Sequence, residues 1–406
     1  MMQKKLLQIN TLVNSGSTGR IAEDIGLACI RKGWKSYIAF GRNERPSQSV
    51  LLQVGTKMDF NLHALKTRLS DRHGFGSKNA TFALIEQIKR INPDIIHLHN
   101  VHGYYLNIEV LFNYLAGTDI PIVWTLHDCW PFTGHCYHFE IVGCNKWKTG
   151  CFDCPQKRIY PASLFVDNSK KNYNDKQALF NSVKNLTIVP VSEWLNKLVG
   201  QSFLKDHSRH LIYNGINLNE FYPQKNSAEI KESLGIGKKF MVLGVASNWK
   251  ARKGYEDFIK LSKLTDESIV YVMVGVDKKE QKELPSNIIG IARTESVAQL
   301  AGLYSAADLF LNLTYEDNFP STNLESLACG TPLLTYNTGG SPESVTEKTG
   351  FIVEQGDLKS VLDAILNVKM NGKAYYSNLC RATAERLYNK DDRFNEYIML
   401  YDRILS

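Results

Sequence analysis

The chain has 406 residues, 43% hydrophobic and 22% charged, a globular composition with enough length for two domains that each bury a core. No apolar run approaches the ~20 residues of a membrane-spanning helix, and no low-complexity tract or solenoid-period repeat occurs. The formal net charge is +7, and residues 1–220 hold 26 Lys and Arg against 17 Asp and Glu, so the basic excess lies there and points to an anionic partner or surface.

Met1-Met2-Gln3-Lys4-Lys5 leads straight into a strand pattern with no apolar signal core, the expectation for a cytoplasmic protein. Leu6 to Val13 is the strand, and it ends in Asn14-Ser15-Gly16-Ser17-Thr18-Gly19-Arg20. A helical pattern follows, with Ile21, Ile25, Ala28 and Cys29 on one face and Gly33 closing it. Strand, glycine loop and helix can cradle phosphate, because glycines let backbone N–H groups approach an anion. Gly16 and Gly19 fall short of a Gly-x-Gly-x-x-Gly dinucleotide fingerprint, and a plain tight turn explains them equally well.

Ser36 to Phe40 reads as the next strand. Helical patterns cover Met58 to Leu69 and Thr81 to Ile91, and residues 57–90 hold seven basic side chains against three acidic ones. A basic amphipathic helix can rest on an acidic membrane surface, which would place the protein at the inner face of the membrane. A solvated helix face is the plainer reading. Pro93 to Gly103 contains a buried strand whose period of two puts His97 and His99 on one face at its end. His97 is expected in the core and His99 lining a cleft, with a metal pair the weaker reading. Pro121 to Leu126 delivers His127-Asp128 to the same edge. Imidazole can take or share the proton of a hydroxyl near neutral pH, and Asp128 could orient it, so His127 is favoured over His99.

Residues 129–155 form an insert with Cys129, Cys136, Cys144, Cys151 and Cys154 among Trp130, Pro131, His135, His138 and Trp147. Without a secretory signal such a cluster reads as metal before disulfide. Cys151-x-x-Cys154 resembles one half of a zinc site and Cys136 with Cys144 the other, so one structural zinc is expected on these four. Leu186 to Val191 is a strand entering a helix capped at Ser192. Polar, proline-containing residues 219–228 suit a boundary, giving domains at 1–220 and 221–390, with a helix at 391–406 packing back toward the first.

Phe240 to Ala246 starts a second series of strands and helices. Residues 247–254, which include Arg252-Lys253-Gly254, lead into the helix Tyr255 to Leu264. Strands at Ile269–Val274 and Asn287–Ile291, the loop with Arg293, a helix at Val297–Ala306 and a strand at Leu309–Leu313 follow. Glu316 and Asp317 then sit in a turn before Asn318, Phe319 and Pro320, which opens a helix carrying Ser321 in its first turn and Glu325 soon after. Leu333 to Tyr336 is another buried strand, and Gly339-Gly340 follows it. A helix start offers free N–H groups to an anion, and loops at strand C-termini line the ligand crevice of open parallel sheets, so Asp317 and Glu325 can flank whatever binds.

At these residues the chain resembles the large retaining, nucleotide-sugar-dependent glycosyltransferases of two-domain (GT-B) architecture, family 4 or group 1. Their pattern is an acid, seven residues, Glu, then Ala-x-x-x-Gly-x-Pro and Gly-Gly; Asp317, Glu325, Gly330-Thr331-Pro332 and Gly339-Gly340 are the counterpart. Ile212-Tyr213-Asn214-Gly215-Ile216-Asn217, Lys253-Gly254 and Thr349-Gly350-Phe351-Ile352-Val353 carry it further. Asp317 stands where Glu is usual, with Glu316 beside it, leaving open which touches the sugar. Ser247 or Asn248 stands where Arg is usual, so Arg252 is a substitute.

The resemblance implies two Rossmann-like α/β domains facing a cleft, the second binding a nucleotide-diphosphate sugar and the first a glycan or lipid-linked acceptor. It implies Glu325 on ribose hydroxyls, Lys253 on diphosphate, Asp317 or Glu316 on the sugar, backbone N–H groups of Asn318 to Ser321 assisting, and Arg293 near the base. The Gly16–Gly19 loop would face the diphosphate, and His127 the reacting hydroxyl, in cell-surface polysaccharide synthesis. No Asp-x-Asp pair occurs in the second half, so no catalytic metal is expected. The weighed alternatives are a nucleotide-sugar epimerase of the same fold, an NAD-dependent dehydrogenase, which lacks the fingerprint, and a zinc-bearing nucleic-acid binder, which leaves the acid–helix–Gly-Gly pattern unused; no nucleic-acid partner is expected.

Overall fold

In the computed structural model, which describes residues 3–406, the apolar runs become strands buried on both faces. That is the condition for an all-parallel sheet covered by helices. The chain divides into two compact units, one comprising residues up to Tyr213 together with Arg393–Ser406, the other Asn214–Asp392. The units part earlier than residue 220. Ile216 pairs with Asn389 in a parallel bridge, and Ile216 N donates to Tyr388 O at 2.7 Å, so residues 214–220 are tied into the second unit.

The first unit is built on β1 (Lys5–Leu12), β2 (Lys35–Arg42), β3 (Val50–Gln53), β4 (Ile95–Leu98), β5 (Ile122–Leu126), β6 (Leu186–Pro190) and β7 (Ser208–Arg209). All pairings are parallel, in the order β3-β2-β1-β4-β5-β6-β7. The order reverses between β1 and β4, which opens a crevice beyond the C-terminal ends of those strands. The helix Gly16–Arg31 begins at Gly16, so the glycine stretch is its first turn rather than a loop. A Cβ on Gly19 would stand 3.2 Å from Asn14 N and 3.3 Å from Leu12 C, and this close approach lets the helix start directly above β1.

The last helix, Lys390–Leu405, supplies Phe394, Tyr397, Ile398, Leu400 and Tyr401 to the core of this unit, where they join Leu6, Ile25, Trp34, Ile95 and Val123. His97 is wholly buried here, with Nδ1 2.6 Å from the Tyr401 hydroxyl and Nε2 2.8 Å from Thr125 Oγ1. The insert has a small core of its own. Phe132, Phe139 and Trp147 are buried together, with Phe139 and Trp147 stacked at 5.0 Å. Buried Lys176 donates to Trp130 O at 2.8 Å and Thr133 O at 3.0 Å, satisfying backbone that the short turns leave open.

The second unit is built on β8 (Phe240–Val245), β9 (Ile269–Val274), β10 (Ile288–Ile291), β11 (Leu309–Asn312), β12 (Leu333–Tyr336) and β13 (Gly350–Val353). It repeats the plan, all parallel in the order β10-β9-β8-β11-β12-β13, with the reversal between β8 and β11. Two Rossmann-like sheets, each with one switch point, thus organise the chain.

Candidate active site

At the switch point of the second unit, the loops leaving β8 and β11 are welded together. Tyr315 N donates to Arg252 O at 2.8 Å, and the Arg252 guanidinium returns a 2.8 Å bond to Glu316 O. Lys253 Nζ lies 2.5 Å from Asp317 Oδ2, both side chains roughly a fifth exposed (21% and 23%). Glycine permits this closure. Gly254 has φ +74°, and a Cβ there would stand 2.3 Å from Leu313 O. Gly339, with φ +56°, leaves no room for a Cβ beside Asp317 O, and Gly340 N donates to that oxygen at 3.2 Å. The Gly-Gly pair therefore supports Asp317 from behind.

The two acids left open by the sequence separate here. The Glu316 side chain is buried, while Asp317 is partly exposed beside Lys253. Pro320 is the N-cap of the helix Ser321–Ala328, and no side chain caps it. Asn323 N donates to Pro320 O at 3.2 Å, which leaves the Ser321 and Thr322 N–H groups of the first turn available to an anion. Asn318 and Phe319 are buried, Phe319 against Tyr388 at 5.9 Å. Glu325 sits in the second turn, 8% exposed, with Oε2 accepting a hydrogen bond from the Tyr304 hydroxyl at 2.9 Å. Burial, then the Glu325 carboxylate, pushes Tyr304 well above the usual phenol range, so it stays a donor. Arg293, in the loop after edge strand β10, is exposed.

At the switch point of the first unit, the ends of β4 and β5 bring histidines together. His99 is 1% exposed, so it does not line a surface; its Nε2 lies 3.0 Å from Gln8 Oε1 and its Nδ1 3.1 Å from His127 Nε2. Burial pushes the His127 imidazole down to about 4, with Asp128 opposing, so it is neutral at pH 7. Asp128 does not orient His127, as the sequence suggested. Its Oδ2 is 2.7 Å from His102 Nε2, and its Oδ1 accepts from Trp130 N at 2.9 Å. Burial works to raise the Asp128 carboxyl, but His102 and the Trp130 N–H outweigh it and hold it below the usual range. Trp130 and buried His73 flank His102 at 5.2 and 5.8 Å between ring centres, and Tyr104 and Tyr160 continue the aromatic wall beyond His73.

Two family models match this chain: "Glycosyltransferase Family 4" over residues 18–220 and "Glycosyl transferases group 1" over residues 226–386. The chain belongs to these glycosyltransferases. A similar curated protein is the putative colanic acid biosynthesis glycosyl transferase WcaC of Escherichia coli K12, 21% identical over 98% of this chain and 100% of that one. Another is the N,N'-diacetylbacillosaminyl-diphospho-undecaprenol alpha-1,3-N-acetylgalactosaminyltransferase of Campylobacter jejuni, 25% identical over 47% of this chain and 53% of that protein. Among solved structures, sucrose-phosphate synthase from Thermosynechococcus elongatus matches with TM-score 0.74 and 16% identity over 99% of both chains. Anabaena HepE in complex with UDP matches with TM-score 0.69 and 14% identity over 99% of this chain and 100% of that one. The likeness to these structures is one of fold, the GT-B fold, and this glycosyltransferase is a nucleotide-sugar-dependent enzyme.

Tyr304, His102, Asn323 and Asp257 carry no motif of their own in the sequence of this glycosyltransferase. Asn323 accepts from Asn312 Nδ2 at 2.7 Å and donates to Ser344 Oγ at 2.9 Å, pinning the helix start between β11 and the Gly-Gly turn. Asp257 accepts from the Tyr315 and Tyr336 hydroxyls at 2.7 and 2.8 Å. Cys136, Cys144, Cys151 and Cys154 line one small cavity of about 10 Å³ with Phe139, Trp147 and Phe152, and Gly134 N donates to Cys151 Sγ at 3.2 Å. Among the described residues, however, no three His, Cys, Asp or Glu side chains are gathered to hold an ion, so the expected zinc finds no ligand set here.

Proposed function

We propose that this glycosyltransferase moves a sugar, with retention of anomeric configuration, from a nucleoside diphosphate sugar to a hydroxyl of a glycan or lipid-linked acceptor in cell-surface polysaccharide synthesis. One observation carries the reading: Lys253, Asp317 and the uncapped start of the helix bearing Glu325 converge at the switch point of the second unit. Glu325, held by Tyr304, would accept hydroxyls of the ribose, and Asp317 those of the sugar. As the C1–O bond to the diphosphate breaks, negative charge grows on the leaving oxygen. Lys253 and the first-turn N–H groups would stabilise that charge with no bound cation.

On the acceptor side we assign the reacting hydroxyl to His102. Asp128 holds its Nε2, which orients the ring and leaves Nδ1 to accept a hydrogen bond from the hydroxyl. His127, neutral through burial, lies along the same strand edge. The aromatic wall suits the apolar face of a sugar ring. Related proteins support the substrate class: HepE forms complexes with UDP and with UDP-glucose, WcaC is named for colanic acid biosynthesis, and the Campylobacter enzyme is named for a diphospho-undecaprenol substrate.

Acceptor-dependent release of nucleoside diphosphate, with the product anomer read by NMR, tests the proposal. Release that needs acceptor and yields the donor's anomeric configuration is expected. Turnover of the donor alone to an isomer would favour the epimerase, and an inverted product would remove the retaining mechanism.

A further inference from the structure

The helix Lys57–Ser70 of the first unit faces the wrong way for a helix that covers a core. Its buried positions are His63 and Thr67, while Met58, Leu62, Leu65 and Leu69 are 69%, 58%, 53% and 49% exposed. Their spacing of four, three and four residues makes one apolar stripe along the outer face. Beside its last turn lies a loop whose tip is just as apolar. Leu164 N donates to Arg68 O and Asn168 Nδ2 to Ser70 O, both at 2.8 Å. Ser163 closes the loop, its N donating to Lys157 O at 2.7 Å and its Oγ to Val166 O at 2.6 Å, and this leaves Leu164 and Phe165 53% and 73% exposed. Buried Asp71 joins helix and insert, with Oδ1 2.5 Å from His135 Nδ1 and Oδ2 accepting from Asn168 N at 2.8 Å. The exposed apolar groups are therefore held in place by satisfied buried bonds.

Charge identifies the occupant. Residues 57–70 and 157–166 carry Lys57, Lys66, Arg68, Lys157 and Arg158 against one acid, Asp59, and Asp59 is engaged in the capping box with Thr56. A second copy of this face would set cations against cations. An anionic bilayer meets both features, its phosphates taking the basic rim and its interfacial layer the apolar stripe. We propose that this face docks on an anionic lipid surface through Leu62, Leu65, Leu69, Leu164 and Phe165. No helix among the described residues is long and apolar enough to cross a membrane, so the contact is peripheral. It goes beyond the transfer reaction proposed above, and its test is independent of that reaction.

Co-sedimentation of the full chain with vesicles of phosphatidylglycerol mixed with phosphatidylcholine, against phosphatidylcholine alone, tests it. Binding to the anionic vesicles should exceed that to the neutral ones by about tenfold or more, and should weaken as salt is raised from ~0.1 to ~0.5 M. Leu65→Glu combined with Phe165→Glu should remove at least about tenfold of it. The melting temperature should hold, because both sites are exposed. Lys57→Ser, Arg68→Ser and Arg158→Ser together should remove the preference for anionic lipid. No binding, equal binding to both vesicles, or binding that survives Leu65→Glu with Phe165→Glu would overturn the proposal. So would light scattering that shows a dimer dispersed by Leu65→Glu, since a second copy would then cover the stripe. Donor titration of the same variants should be unchanged, which separates failure of lipid docking from failure of the transfer reading.

Discussion

Glu325→Gln tests the donor site with the least disturbance of the fold. Glu325 is 8% exposed and accepts from Tyr304 at 2.9 Å, and an amide oxygen accepts the same bond, so the melting temperature should change little. What disappears is the charge on the acceptor. A hydrogen bond to a charged group contributes about 1.5–3 kcal/mol and a neutral one about 0.5–1.5 kcal/mol, so each donor hydroxyl held by Glu325 should lose about 1–2 kcal/mol. That corresponds to donor affinity weaker by about 5- to 30-fold. Glu325→Ala is a poorer probe, because it strands the wholly buried Tyr304 hydroxyl at a cost of about 1–3 kcal/mol and mixes folding with binding. Tyr304→Phe is the useful companion, since it keeps the charge and removes its anchor. Calorimetric titration with donor, beside thermal unfolding, separates the two effects. A Gln variant with an unchanged melting temperature, donor Kd and kcat would refute the assignment.

Lys253→Ala should lower the transfer rate by more than it weakens ground-state donor binding, because the charge it meets grows as the glycosidic bond breaks; a raised donor Kd with kcat untouched would make Lys253 a binding group only. Asp128→Asn and His102→Gln should each reduce acceptor-dependent transfer on the order of 10²-fold with donor affinity unchanged. His127→Gln should do less, and the reverse ranking would return the acceptor role to His127. Folding stability should fall as pH drops from 6.5 toward 4, because burial pushes His63 and His127 down to about 4 and His73, His97 and His99 well below their ordinary value. The unfolded chain then binds the protons that the folded chain refuses, at about 1.4 kcal/mol per pH unit for each such histidine. A urea midpoint flat between pH 7 and 5 would contradict this.

The sheets and the donor loops were legible because their causes are local. Parallel strands buried on both faces appear as apolar runs, and Gly254 and Gly339 mark places where backbone meets backbone too closely for a Cβ. The helix Val297–Ala306 coincides with its sequence pattern. Short, half-buried β3 and the helix Ile108–Ala116 gave no comparable pattern. The acceptor side was less legible, because the partner of Asp128 is chosen by the path of residues 99–103 and not by adjacency. His127 is next to it in sequence, and His102 is next to it in space. Periodicity likewise gives the stripe on Lys57–Ser70 but not its direction, and only the burial of His63 and Thr67 shows that the leucines face outward. The core of the insert was hidden because Phe132, Phe139 and Trp147 are scattered among polar residues and meet only after the chain turns.

The central claim is that the cluster at the end of β8 and β11 binds a nucleoside diphosphate sugar through Lys253, Asp317 and Glu325 without a divalent cation. Calorimetric titration of the full chain with UDP-, GDP-, ADP- and dTDP-sugars in EDTA tests it most directly. One of these should bind at a single site per chain and lose most of its affinity in Lys253→Ala with Glu325→Gln. Binding by none of them, binding that appears only with added Mg²⁺ or Mn²⁺, or binding undiminished in the folded double variant would contradict the account.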